Sequence, residues 1–164
     1  MKRLVAGIGV CAALTAAIAA QMPKYDVTVS IDKPVDFSAL KTYSWTKGQP
    51  SADKTIDARI IDAVDRELSA LGMSKAASGS GDVLATYYSL SRTDVNHKAK
   101  PDAQGVRPQY WVGTLVVALL DPGNRERWLR LRIDKPIEIE PAKLDAAIDS
   151  AVAAMFAKFP TRRK

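Results

Sequence analysis

Few side chains in this sequence could do chemistry, and their surroundings narrow what that chemistry is. His97 is the only histidine and Cys11 the only cysteine. A Ser-His-acid relay would have to be built around His97. No Gly-x-Ser-x-Gly elbow occurs, and Asn96 and Lys98 place the histidine in a polar stretch, as an exposed loop residue. Zinc-type sites lack nitrogen and sulfur ligands. Glu138 and Glu140 alternate along an extended segment and are read as facing solvent. A carboxylate pair for glycoside hydrolysis depends on a separation that the fold sets, and no pair stands out. Ser78-Gly79-Ser80-Gly81 has the composition of a phosphate loop, but no Lys-Ser/Thr follows and a strand comes next. It is read as a linker. The sequence therefore assigns no catalytic residue, no metal site and no cofactor.

Two groups carry the chemistry of binding instead. Trp128, Arg130 and Arg132 alternate in a strand-like run, with Arg125 close by, and are expected to share one face. An aromatic ring beside guanidinium groups can stack on a sugar or grip a phosphate. The competing reading packs Trp128 under a helix end and leaves the arginines in water. Tyr110-Trp111, which follows a long polar stretch, is the second candidate.

The elements that must position these residues follow from periodicity. Tyr25, Val27, Val29 and Ile31 alternate with polar residues, the pattern of a strand with one buried face. Val35–Trp45 is expected to form a fixed corner that drives Phe37 and Trp45 into a core and ends in a second short strand. Ile56, Ile60, Ile61, Val64, Leu68 and Leu71 form a helical stripe, with Asp53 as N-cap and Gly72 as C-terminal cap. The charged residues off that stripe read as a solvated face. Residues 82–91 and 110–120 are strands, and 92–109 is a connection long enough to be functional or mobile. Asp121-Pro122-Gly123-Asn124 is a turn into a further strand from about Arg125 to Ile133, with positive φ expected at Gly or Asn. Pro141 opens a second helix whose stripe is Leu144, Ile148, Val152, Met155, Phe156 and Phe159. The order is β-β-α-β-β-β-α. The expected fold class is α+β, a mainly antiparallel sheet with two helices packed on one face.

The N-terminus bears on compartment. Lys2 and Arg3 precede an uncharged run from Leu4 to Ala19, and Ala17-Ile18-Ala19 fits a small-residue cleavage pattern. Residues 1–20 are read as a cleaved secretory signal and 21–164 as one domain. Val10 before Cys11 fits poorly in a lipoprotein cleavage pocket, so Cys11 is read as part of the apolar run and not as an acylation site. Two of the 24 basic residues lie in residues 1–20, which leaves 22 against 18 acidic ones. An exported basic domain rarely meets nucleic acid; an anionic lipid, a glycan or an envelope protein is the expected partner.

Asp36-Phe37-Ser38, Lys41-Thr42-Tyr43-Ser44-Trp45, Asp82-Val83-Leu84-Ala85-Thr86-Tyr87, Gly113-Thr114-Leu115-Val116-Val117, Trp128 and Ala151-Val152 through Phe159-Pro160 occur in that order. In this the chain resembles the bacterial domain-of-unknown-function family numbered four-one-three-six, described mostly as envelope lipoproteins. The resemblance implies an exported α+β domain and transfers no activity and no catalytic residue. The expectation is a non-catalytic periplasmic domain that binds an envelope component or protein partner. The alternatives are an envelope hydrolase using carboxylates or His97, and a lipid-anchored structural protein that stands or falls with Cys11.

Overall fold

The computed structural model describes residues 25–136 and 141–160. The expected signal, Cys11, Glu138 and Glu140 lie outside the described residues. Eight elements follow in order: β1 (Val27–Ile31), β2 (Thr42–Trp45), α1 (Lys54–Ala70), β3 (Ser74–Lys75), β4 (Val83–Val95), β5 (Gln109–Leu120), β6 (Arg127–Pro136) and α2 (Pro141–Phe156). The six strands form one sheet in the order β1-β6-β5-β4-β2-β3. β4, β5, β6 and β1 pair antiparallel. β2 runs parallel to both β4 and β3, because α1 crosses over between β2 and β4. The α+β layout is as the periodicity predicts. The addition is β3, two residues that pair by backbone alone within a stretch expected to be loop.

Side-chain alternation divides the sheet into two unlike faces. Val83, Ala85, Tyr87, Val117, Leu119, Leu129, Leu131 and Ile133 share one buried cluster with Ile60, Val64 and Leu68 of α1 and Val152, Met155 and Phe156 of α2. Both helices thus lie on one face. Asp53 caps α1 by accepting from the backbone N–H of Thr55 at 2.8 Å and of Ile56 at 3.2 Å. At the other end Gly72 takes φ 83, Met73 N–H reaches Leu68 C=O, and Gly72 N–H reaches Ser69 C=O. That is a Schellman closure, which needs a residue tolerant of positive φ.

The charges of α1 are not a simple solvated face. Arg59 and Arg66 each reach Asp149 of α2 at 2.6 Å, so one carboxylate ties the helices together. Asp65 Oδ1 accepts from the Tyr43 hydroxyl at 2.7 Å and the Trp45 indole N–H at 2.8 Å. Asp57 accepts from the Tyr87 hydroxyl. A stripe of apolar residues shows which way a helix faces. It does not show which carboxylates at the stripe's margin reach down to polar ends of buried rings.

The corner at Val35–Trp45 is built by bonds specific to its residue types. Asp36 Oδ1 accepts from Ser38 N–H at 2.9 Å and from Ser38 Oγ at 2.6 Å, the side-chain turn that Asp favours. Phe37 meets Phe159 edge-on with centroids 5.6 Å apart, which pins the corner to the chain just beyond α2. Trp45 meets Tyr87 edge-on at 6.2 Å. β1 departs from expectation at its far end. Val27 packs on the core, but Ile31, on the edge strand, is 51% exposed.

Candidate functional site

Among the described residues no helix covers the second face of the sheet, and there β4, β5 and β6 line a groove of ≈ 680 Å³. Strand register orders its floor in rows: Ala118–Arg130, Tyr88–Val116–Arg132 and Leu90–Thr114. Ser91, Leu120, Arg92, Arg125 and Arg127 complete the lining. The floor is thus apolar or small, and the walls are guanidinium groups. The periodicity of β6 predicts this for Arg130 and Arg132, since Leu129, Leu131 and Ile133 occupy the helix face.

Trp128 does not join them. Leu119 opposes Leu129 while Leu120 opposes Arg127, so Trp128 is the extra residue of a β-bulge. It packs against the hydrophobic cluster and is not among the groove's lining residues. The bulge corrects the expected sharing of one face by Trp128, Arg130 and Arg132, and it brings Arg127 onto the groove instead. The turn before it departs from expectation as well. Positive φ falls on Arg125, at 60°, and not on Gly123 or Asn124. Asp121 N–H bonds to Glu126 C=O, and Arg125 N–H bonds to Asp121 C=O. The Asp121 and Asn124 side chains accept from Gly123 and Glu126 N–H, at 2.7 Å and 2.9 Å.

The arginines differ in what satisfies them. Arg127 Nε donates to Asp32 at 2.7 Å. Arg132 Nε and Arg92 Nη1 both donate to Asp134, at 2.9 Å and 3.0 Å, and the Thr114 hydroxyl also donates to it. Those donors, Arg132 first, hold the Asp134 carboxyl far below the usual carboxylate range despite partial burial. Among the described residues Arg125 and Arg130 have no carboxylate partner. Arg130 Nε is shielded from solvent and has no protein acceptor, and neither does Thr86 Oγ1 at the other end of the same row. Ala118 is the residue between them in that row. The backbone beside Thr86 is close as well: a Cβ on Gly48 would collide with Thr86 Oγ1 and the Tyr87 carbonyl.

The remaining candidates lie elsewhere. Tyr110 and Trp111 sit at the far end of β5, 39% and 61% exposed and outside the groove lining. His97 is exposed in the connection after β4, and among the described residues its ring has no hydrogen-bond partner. No three His, Cys, Asp or Glu side chains of the described residues come together as a metal site. No helix of the described residues is long and apolar enough to cross a membrane. The groove residues that sequence reasoning missed include Arg92 and Arg127, whose places depend on the β4–β5–β6 register.

Among the described residues, two layers, with helices on one face of a mixed sheet and a basic groove on the other, define an α+β domain of the two-layer type. The chain belongs to the family described as Domain of unknown function (DUF4136), whose model matches residues 27–161. No curated protein sequence matches the chain closely enough to count as a relative. Among solved structures, a PDZ domain protein from Parabacteroides distasonis is similar with TM-score 0.59 and 12% identity, over 85% of this chain and 36% of that one. This chain thus spans little more than a third of that protein's length. The PelC dodecamer from Paraburkholderia phytofirmans is similar with TM-score 0.52 and 10% identity, over 80% of this chain and 96% of that one. Identities this low show a shared fold alone.

Proposed function

We propose that this protein is an exported, non-catalytic domain of the cell envelope that binds a phosphate-bearing envelope component in the groove on its open sheet face. The observation that carries the reading is Arg130. A guanidinium N–H withdrawn from water and left without an acceptor is costly. A phosphate oxygen placed over Ala118 would satisfy it. Arginine matches phosphate geometry better than any other side chain. The apolar floor of Val116, Ala118 and Leu120 suits a ligand with an apolar body beside its charge. Export rests on the N-terminal run of residues 4–19 after Lys2 and Arg3.

Titration calorimetry with a short-chain phosphatidic acid, kept monomeric, tests the reading. Arg130→Ala is expected to weaken binding by roughly tenfold or more, the scale of a charge-assisted hydrogen bond. Asp134→Asn is expected to strengthen it, because Arg92 and Arg132 are then released toward the groove. The matching phosphatidylcholine should bind more weakly. A wild-type protein that does not bind, or an Arg130→Ala variant that binds equally well, would sink the proposal.

A further inference from the structure

β4 and β5 outrun the rest of the sheet. β6 reaches Pro136, opposite Val112, and beyond that row, among the described residues, only β4 and β5 pair, through Thr93–Trp111, Asp94–Tyr110 and Val95–Gln109. The result is a two-stranded ribbon closed by residues 96–108. Its tip is held in one shape by its own bonds. Asn96 N–H reaches Pro108 C=O, and Arg107 Nη1 donates to the carbonyls of His97 and Ala99, at 2.9 Å and 2.5 Å. Asp102 Oδ1 accepts from Gln104 and Val106 N–H, and Gly105 takes φ 80.

This rigid ribbon turns apolar surface and positive charge outward together. Trp111 is 61% exposed and Val106 56%. Lys98 and Lys100 are exposed with no carboxylate partner among the described residues. Among the described residues the nearby acids are already engaged: Asp94 with Val95 N–H and Arg92, and Asp102 in its own turn. Tryptophan beside unneutralised lysine is the composition of a surface that sits in the headgroup layer of an anionic bilayer, where the indole is half-wet and each cation meets phosphate.

We propose that the β4–β5 ribbon docks this protein on an anionic membrane surface, with Trp111 entering the headgroup layer and Lys98 and Lys100 pairing with lipid phosphates. The docking is independent of the groove, whose unpartnered arginines lie on β6 and in the turn before it.

Tryptophan emission reads this directly on the full chain. Residues 1–24 contain no tryptophan, and Trp45 and Trp128 pack against the core. A change on membrane binding therefore reports Trp111, even if the N-terminal apolar run also inserts. With phosphatidylglycerol vesicles the emission should shift to the blue and be quenched by brominated-chain lipid, less so at high salt. Phosphatidylcholine vesicles should give a much smaller effect. Trp111→Phe should abolish the shift and the quenching while leaving the melting temperature unchanged. The Lys98→Gln/Lys100→Gln pair should weaken the shift by roughly tenfold or more. Arg130→Ala should retain the whole signal, which separates failure of the groove from failure of the ribbon. Emission that stays unmoved on anionic vesicles, or moves equally in Trp111→Phe, would overturn the proposal. Either result would point to a surface for a protein partner in place of a bilayer.

Discussion

Asp82 and Thr42 hold each other reciprocally. Asp82 Oδ2 accepts from Thr42 N–H at 2.9 Å, and Thr42 Oγ1 accepts from Asp82 N–H at 3.0 Å. The same Oδ2 accepts from Lys41 N–H at 2.8 Å. This bracket closes the start of β2 onto the start of β4. It joins the two segments that carry the family resemblance, Lys41-Thr42-Tyr43-Ser44-Trp45 and Asp82-Val83-Leu84-Ala85-Thr86-Tyr87.

Replacing Asp82 should therefore loosen the β2–β4 join without touching either face of the sheet. Asp82→Ala is expected to lower the urea midpoint with an unchanged slope. The backbone N–H of Lys41, then that of Thr42, holds the Asp82 carboxyl below its ordinary value. A depressed folded-state value means its stabilisation is present above about pH 4 and is lost as pH falls through the folded-state value. The gap between wild type and Asp82→Ala should therefore narrow in acid. A constant gap from neutral pH into acid would show that the carboxylate is not what holds the join.

Asp65 is the acceptor for two ring donors at the corner. Asp65→Ala strands the Tyr43 hydroxyl and the Trp45 indole N–H, and should cost about 2 kcal/mol or more by denaturant unfolding. Trp45→Ala should cost about 3 kcal/mol through lost packing. Both variants should still bind the groove ligand once folded. A Trp45→Ala protein of full stability that failed to bind would make the corner the site.

Two tyrosines set an alkaline limit. Burial first, and then donation to Asp57, pushes the Tyr87 hydroxyl up to about 12. Burial, followed by donation to Asp65, raises that of Tyr43 as well. In the unfolded chain both ionise near 10. A raised folded-state value means the stabilisation is complete below about pH 10 and is lost as pH climbs through the folded-state value. Melting temperatures should fall steeply from about pH 10 upward, and Tyr87→Phe should flatten part of that fall. A Tyr87→Phe profile parallel to wild type would show that this hydroxyl does not govern the limit.

Periodicity read the fold well wherever one face of an element is wholly buried. The Ile60–Val64–Leu68 and Ile148–Val152–Met155 stripes located both helices. The alternation of Leu129, Leu131 and Ile133 placed Arg130 and Arg132 on the opposite face. Three features were hidden because they are set by backbone pairing between distant segments. β3 has no side-chain pattern, the bulge at Trp128 is a shift in the β5–β6 register, and the parallel β2–β4 pair depends on α1 crossing over. The site was half legible for the same reason. Arg130 and Arg132 could be assigned a face from β6 alone, whereas Arg92 meets Arg132 at Asp134 only through the β4–β5–β6 register. The 92–109 connection, read as functional or mobile, is an ordered ribbon because Asn96, Asp102 and Arg107 satisfy its backbone locally.

The pairing of β1 with β6 has a kinetic consequence. Val27 opposes Ile133 and Ile31 opposes Leu129, so the first strand finds its partner near the end of the chain. β1 is an edge strand with one neighbour, and closing so long a loop is repaid only after β6 has joined β5. During synthesis from the N-terminus, β1 waits unpaired while every other strand is made. It should dock last and open first, which hydrogen exchange would detect as the least protected segment of the sheet. Until then Val29 and Ile31 are sticky ends of an incomplete molecule, and newly made chain depends on finishing its C-terminal third before two copies meet.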